Sequence, residues 1–133
     1  LLIITNDGSL VNDIANPSKN IGKTYLLKVS KRITPELISS IRTGVSIDIT
    51  RNEIVEEYLT MPAEVTKISD YSIEVTIYEG KKRQVRRMVE SLGNRVLELH
   101  RTSIGGLNLD TYSLNSGEYK KESREVIMER IRK

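Results

Sequence analysis

The chain contains no cysteine and only one histidine, His100, among its 133 residues. The first absence excludes disulfides, thiolate catalysis and cysteine-based zinc sites. The second excludes a histidine-rich metal centre, so neither a metal nor metal chemistry is expected. No apolar run approaches the roughly 18 residues that a membrane-crossing helix needs, and no signal-peptide or lipidation pattern is present. A cytoplasmic protein without a membrane partner is the resulting expectation. Net charge is small as well, because 21 Lys and Arg stand against 18 Asp and Glu, leaving +3. Nucleic-acid affinity would therefore have to come from local clustering of cations. With 38% apolar residues, a chain of this length buries one core.

Cations do cluster in residues 79–93, EGKKRQVRRMVESLG, where Lys81, Lys82, Arg83, Arg86 and Arg87 fall within seven positions. Val85, Met88, Val89 and Leu92 share one face at i, i+3, i+4, i+7, which predicts a helix that starts near Gly80 and buries that face. A helix start is partly positive, so lysine and arginine in its first turns lower its stability, whereas an anion would raise it. The bland reading is a solvated charged face. The N-terminal placement favours an anion partner instead, either phosphate oxygens or a carboxylate held by an arginine fork.

The opening Leu1-Leu2-Ile3-Ile4-Thr5 reads as a buried strand that runs into the turn Asn6-Asp7-Gly8, and a strand of that kind needs neighbours on both sides. A truncated domain is the expectation, and an exposed sheet edge would favour self-association. A short helix is predicted over residues 9–15 and a strand over 23–29, KTYLLKV. Thr34 caps a helix that has Pro35 at its first position, Leu37, Ile38 and Ile41 as its stripe, and Gly44 at its stop. Residues 45–49 alternate as a strand, 50–57 read as an exposed polar excursion, and 63–68 and 72–78 pair as antiparallel strands around Asp70. Residues 95–101 read as a strand, 104–109 as a glycine-interrupted strand, 118–120 as a short return, and a last helix starts near Ser123. The fold class is α+β, with a mixed, mostly antiparallel sheet and flanking helices in one unit over residues 1–133.

In order and spacing, four of these segments resemble the catalytic domain of the Rsu-type bacterial ribosomal-RNA pseudouridine synthases: LLIITNDG at 1–8, KTYLLKV at 23–29, EGKKRQVRRM at 79–88 followed by Leu92-Gly93, and LHRTSIGGLNL at 99–109. The resemblance covers nearly the whole chain. It implies the pseudouridine synthase fold, no cofactor, and isomerisation of a uridine in RNA: the base leaves C1′, turns, and rejoins through C5. A base within folded RNA has to be extruded to be reached. The resemblance places Arg86 as the active-site arginine that pairs with the family's nucleophilic aspartate, and Tyr25 as the ring that stacks on the target base. Without the resemblance, Tyr25 would read as a core aromatic.

The family's aspartate belongs to a Gly-Arg-Leu-Asp stretch upstream of the run that begins here at Leu1. It is not in this chain, and neither is the S4 RNA-binding module that family members commonly carry. Asp7 matches the turn residue and not the nucleophile. The chain is therefore expected to be an inactive part of a catalytic domain, with Arg86 requiring some other acid or an anion as partner. Lys81, Lys82, Arg83 and Arg87 are candidates for contact with RNA, ribosomal RNA above all, and Gln84 for RNA or the pocket wall. Spacing does not choose between Leu99 and Ile104 for the apolar wall beside the base, and His100 reads as a structural residue. The alternative function is a non-catalytic RNA-binding or ribosome-assembly module that has kept the fold.

Overall fold

The computed structural model describes residues 1–133. Helix α1 (Gly8–Ala15) is capped by Asp7, whose side chain accepts from the N–H groups of Ser9 and Leu10. Strand β1 (Lys23–Val29) follows, then α2 (Pro35–Thr43), in which the Thr34 hydroxyl accepts from Leu37 N–H at 3.1 Å and Pro35 occupies the first turn. Strands β2 (Ser46–Arg51), β3 (Ile54–Leu59), β4 (Glu64–Ser69) and β5 (Ser72–Ile77) come next. Helix α3 (Gln84–Ser91), strands β6 (Val96–Ile104) and β7 (Leu107–Asn108), and helix α4 (Arg124–Ile131), capped by Ser123, complete the chain.

The main sheet has the order β4-β5-β1-β6-β7, and β2-β3 forms a separate two-stranded sheet. The α+β expectation holds, and every strand pairing is antiparallel. Central β1 sets the layers: Leu27 and Val29 point inward beside Ile73 and Val75 of β5, and meet Leu37 and Ile41 of α2 and Val85, Met88 and Val89 of α3. Ile47 and Ile49 of β2 close the same core, while a smaller cluster of Ile104, Leu107 and Ile131 gathers at the other end. No helix is long and apolar enough to cross a membrane.

Four segments depart from the sequence expectation. Residues 1–5 are not a buried strand: Leu2 and Ile4 are 75% and 88% exposed, and only Leu1 and Ile3 pack against the smaller cluster. The run lies beside β6 through two hydrogen bonds at its start, Leu1 N to Arg101 O and Arg101 Nε to Leu1 O, so only alternate side chains reach apolar neighbours. The expected excursion at 50–57 is instead a hairpin turn with most of β3. Asn52 and Glu53 both adopt positive φ, 50° and 65°, as a two-residue hairpin turn requires, and the adjacent Glu56-Glu57 hid the strand alternation.

Residues 95–109 form one long strand and a short return joined by Gly105-Gly106. A Cβ on Gly105 would lie 2.0 Å from Ile131 O, and one on Gly106 would lie 2.4 Å from Arg130 O, so α4 docks backbone to backbone on this turn. Residues 118–120 are not a strand. Gly117 at φ 84° and the bond from Glu118 N–H to Asn115 O curl the chain there. If the inward face of β1 carries the core, Leu27→Ala should lower unfolding free energy in denaturant titration by about 2–5 kcal/mol. Lys28→Ala, on the exposed face of the same strand, should change it by less than about 0.5 kcal/mol.

Candidate active site

Where β5 leaves the sheet, Glu79 turns inward and is 2% exposed. Its carboxylate has no cation partner and is held by three donors: the Tyr58 hydroxyl from β3, Met61 N–H at 2.7 Å, and Gln84 Nε2 at 2.9 Å. A buried carboxylate is tolerated when donors occupy its oxygens. Gln84 passes the connection on, since its Oε1 accepts from Lys81 N–H at 3.1 Å. Lys81 Nζ sits 4.8 Å from the centre of the Tyr58 ring, a cation–π contact. Through these bonds one carboxylate fixes the hairpin, the loop at 80–83 and the start of α3. The hydrogen bond to Glu79, with burial second, pushes the Tyr58 phenol up to about 12.

The helix begins at Gln84 and not near Gly80, because Arg83 takes a left-handed conformation, φ 54°, at the N-cap. Lys81, Lys82 and Arg83 thus stand in the approach to α3, and only Arg86 and Arg87 lie in its first turn. Lys82 and Arg83 are exposed. Arg86 is half-buried and forms neither a hydrogen bond nor an ion pair within the chain, so no acid of the chain answers its charge. Arg87 Nη1 donates to Asp48 O at 2.6 Å, and Ser91 Oγ to Ser46 O at 2.9 Å, covering the edge of β2 that β3 does not pair. Gln84 is 2% exposed, and its amide is occupied by Glu79, Lys81 and the Met88 sulfur.

On the sheet side, Tyr25 stands in register between Val75 of β5 and Arg101 of β6 and packs, half-buried, on the main core. Two residues along β1 on the same face is Lys23, 8% exposed and without a hydrogen bond or ion pair. A Cβ on Gly80 would lie 3.6 Å from Lys23 Nζ, which places this ammonium under the 80–83 loop. Burial and then the neighbouring Arg101 guanidinium hold its pKa below the usual lysine value. Two cations stand together here and neither has a carboxylate within ion-pair distance, an arrangement that suits an anion.

Leu99 and Ile104 separate cleanly. Leu99 packs half-buried on the main core as Tyr25 does, whereas Ile104 is 2% exposed within the smaller cluster. His100 is exposed, opposite Leu26. Asp7 caps α1 and pairs with Arg124 Nε at 3.0 Å, and the hydrogen bond from Leu10 N–H leads in holding its carboxyl below the usual range. Sequence reasoning missed Lys23, Arg101 and Glu79. The available signal was, for Lys23, a charged residue at the head of an apolar strand and, for Glu79, one just beyond the end of a strand; Arg101, inside β6, offered none.

Comparison with known proteins decides the family. The family described as RNA pseudouridylate synthase matches residues 1–91. The chain belongs to the RNA pseudouridylate synthase family. It is 35% identical over 127 residues to the ribosomal small subunit pseudouridine synthase A of Vibrio cholerae, covering 96% of this chain and 52% of that protein. The synthase of the same name from Vibrio vulnificus is 39% identical over 129 residues, and that from Escherichia coli K12 is 35% identical over 127; each comparison covers 96% of this chain and 52% of the relative. A crystal structure of a pseudouridylate synthase superimposes with a TM-score of 0.81 at 33% identity, covering 96% of this chain and 52% of that one. The chain therefore spans about half the length of the relatives it matches.

Within this synthase-family chain, the Glu79 hub has a spectroscopic signature. In an alkaline titration followed at the tyrosinate absorbance, one phenol should ionise near pH 12, and Tyr58→Phe should remove that step. Because the folded pKa is raised above the unfolded value near 10, the hydrogen bond stabilises fully below about pH 10 and its contribution is lost as pH rises toward 12. The stability difference between wild type and Tyr58→Phe should shrink across that window.

Proposed function

We propose that the protein to which this chain belongs isomerises a uridine of ribosomal RNA to pseudouridine, and that the chain supplies the base-stacking and cationic side of the active site. The observation that carries this reading is the half-buried Arg86 without an acid partner, on the helix that covers the same core face as Tyr25. A guanidinium is charged at any accessible pH, so it can keep a nearby carboxylate ionised and oriented for attack. That carboxylate is the aspartate the family carries ahead of the segment matched at Leu1, supplied by preceding residues of the parent protein.

In the reaction the C1′–N1 bond breaks, the base turns, and a C1′–C5 bond forms. The proton lost from C5 is balanced by the one gained at N1, so the product is an isomer of the substrate. Tyr25 is the stacking surface for the turning base, Leu99 its apolar neighbour, and Lys23 with Arg101 the corner that neutralises negative charge. Leu99 is preferred to Ile104 because it shares the core that Tyr25 packs against. Lys81, Lys82 and Arg83 line the approach and contact RNA phosphates. Names of the relatives, all small-subunit synthases, support ribosomal RNA as the substrate.

The test is conversion of ribosomal RNA by this chain beside a version extended upstream by about 30 residues, ample for one added strand at ~3.3 Å per residue. Pseudouridine is read by carbodiimide mapping. Activity in the extended protein alone is expected, and Arg86→Ala in that protein should cut single-turnover conversion by at least about 100-fold. Inactivity of the extended protein despite an upstream aspartate would favour a non-catalytic RNA-binding module. RNA binding should weaken as salt rises, and Lys82→Ala with Arg83→Ala should reduce the log–log slope by about 1.4, since each single-strand phosphate contact contributes roughly 0.7. An unchanged slope would remove these two residues from the RNA surface.

A further inference from the structure

The β2–β3 hairpin is charged and paired unlike the rest of the chain. Across residues 46–59 the acids Asp48, Glu53, Glu56 and Glu57 face a single cation, Arg51, whereas the whole chain carries +3. Strand β3 pairs with β2 alone. Ile54, Val55 and Leu59 on it, and Met61 just beyond, are 62%, 65%, 68% and 43% exposed.

Register shows which backbone groups are free. Thr60 N–H donates to Val45 O at 2.9 Å, and Ile47 stands opposite Tyr58, Ile49 opposite Glu56 and Arg51 opposite Ile54. In an antiparallel ladder hydrogen-bonded pairs alternate with open ones, so Ile54, Glu56 and Tyr58 bond to β2 while Val55, Glu57 and Leu59 turn their N–H and C=O groups outward. The same alternation turns Ser46 O and Asp48 O outward on β2, where Ser91 and Arg87 meet them. The β2 edge is covered by α3; the β3 edge is not. It lacks proline, lysine or a bulge, and its charged residues, Glu56 and Glu57, repel a like edge while leaving it open to a basic one.

We propose that the β3 edge is a docking site for an extended, basic segment of a protein partner, which adds as a third strand. Strand addition satisfies the outward groups of Val55, Glu57 and Leu59, and Lys or Arg at the centre of the added strand meets Glu56 on one face and Glu57 on the other. Apolar residues flanking that centre cover Ile54 on one face and Val55 and Leu59 on the other. RNA is disfavoured because four acids repel phosphate. A second copy is disfavoured because antiparallel β3–β3 pairing brings like charges together.

The probe is a fluorescein-labelled peptide of about six residues, a common strand length, with Lys-Arg at its centre and Val and Thr on both sides. The control has Glu-Asp at the centre. Saturable binding of the basic peptide is expected by anisotropy, weakened at least about tenfold by Glu57→Pro, which deletes an outward donor. Glu56→Lys with Glu57→Lys should weaken it as much, and serves if the proline variant fails to fold. Equal binding of both peptides, or binding indifferent to these substitutions, overturns the proposal. So does poly-uridine RNA whose affinity drops with Glu57→Pro, or a dimer in sedimentation that Glu57→Pro dissolves.

Discussion

The carboxylate of Glu79 is the point through which the β2–β3 hairpin with its following backbone and the start of α3 are joined. It accepts from a strand of the small sheet, from the backbone after that strand, and from the first residue of α3. Tyr58 and Met61 are close in the chain, but α3 begins more than 20 residues beyond them, too far to be held by a local turn. Removing the carboxylate takes the partner from all three donors at once, and Gln84, 2% exposed, loses its amide acceptor in a buried place. The position of Arg86, two residues beyond Gln84, is inherited from this hub.

The charges around the 80–83 loop differ in how they are met. Glu79 is the one buried acid, and neutral donors occupy its oxygens without cancelling its charge. Lys23, Arg101 and Arg86 have no acid partner, and their charge remains available to an anion from outside the chain. Ordinary ion pairs, such as Arg32 or Lys67 with Asp70, lie on the exposed surface and are screened by solvent. Lys23 is the costly member, since a buried ammonium beside a guanidinium is maintained only where something gains from it.

The parts legible in sequence were those governed by local chemistry. Thr34, Pro35 and Gly44 bounded α2 correctly because capping, ring constraint and positive φ act over a few residues. β1 was read over its true length from a simple apolar pattern. The family resemblance singled out Tyr25 and Arg86 as site residues, where residue chemistry alone favoured a core aromatic and one cation among five. What stayed hidden depended on distant partners. Glu79 drew no reading of its own, since nothing near it announces that Tyr58, 21 residues earlier, reaches its carboxylate. The two glycines of β6–β7 resembled a break in a strand until α4, far along the chain, supplied the carbonyls that exclude a side chain there.

The covering of β2 by α3 carries a metrical consequence. Arg87 and Ser91 are four residues apart, a rise of about 6 Å along a helix, and the carbonyls they reach, Asp48 and Ser46, are two residues apart, about 6.8 Å along a strand. These two repeat distances nearly coincide, and helix and strand here run in opposite directions. Inserting or deleting a single residue between Arg87 and Ser91 would swing one donor through about 100° and leave a carbonyl unanswered. The length of this stretch is therefore as constrained as its composition, and the same gearing fixes the rotational setting of Arg86 on α3.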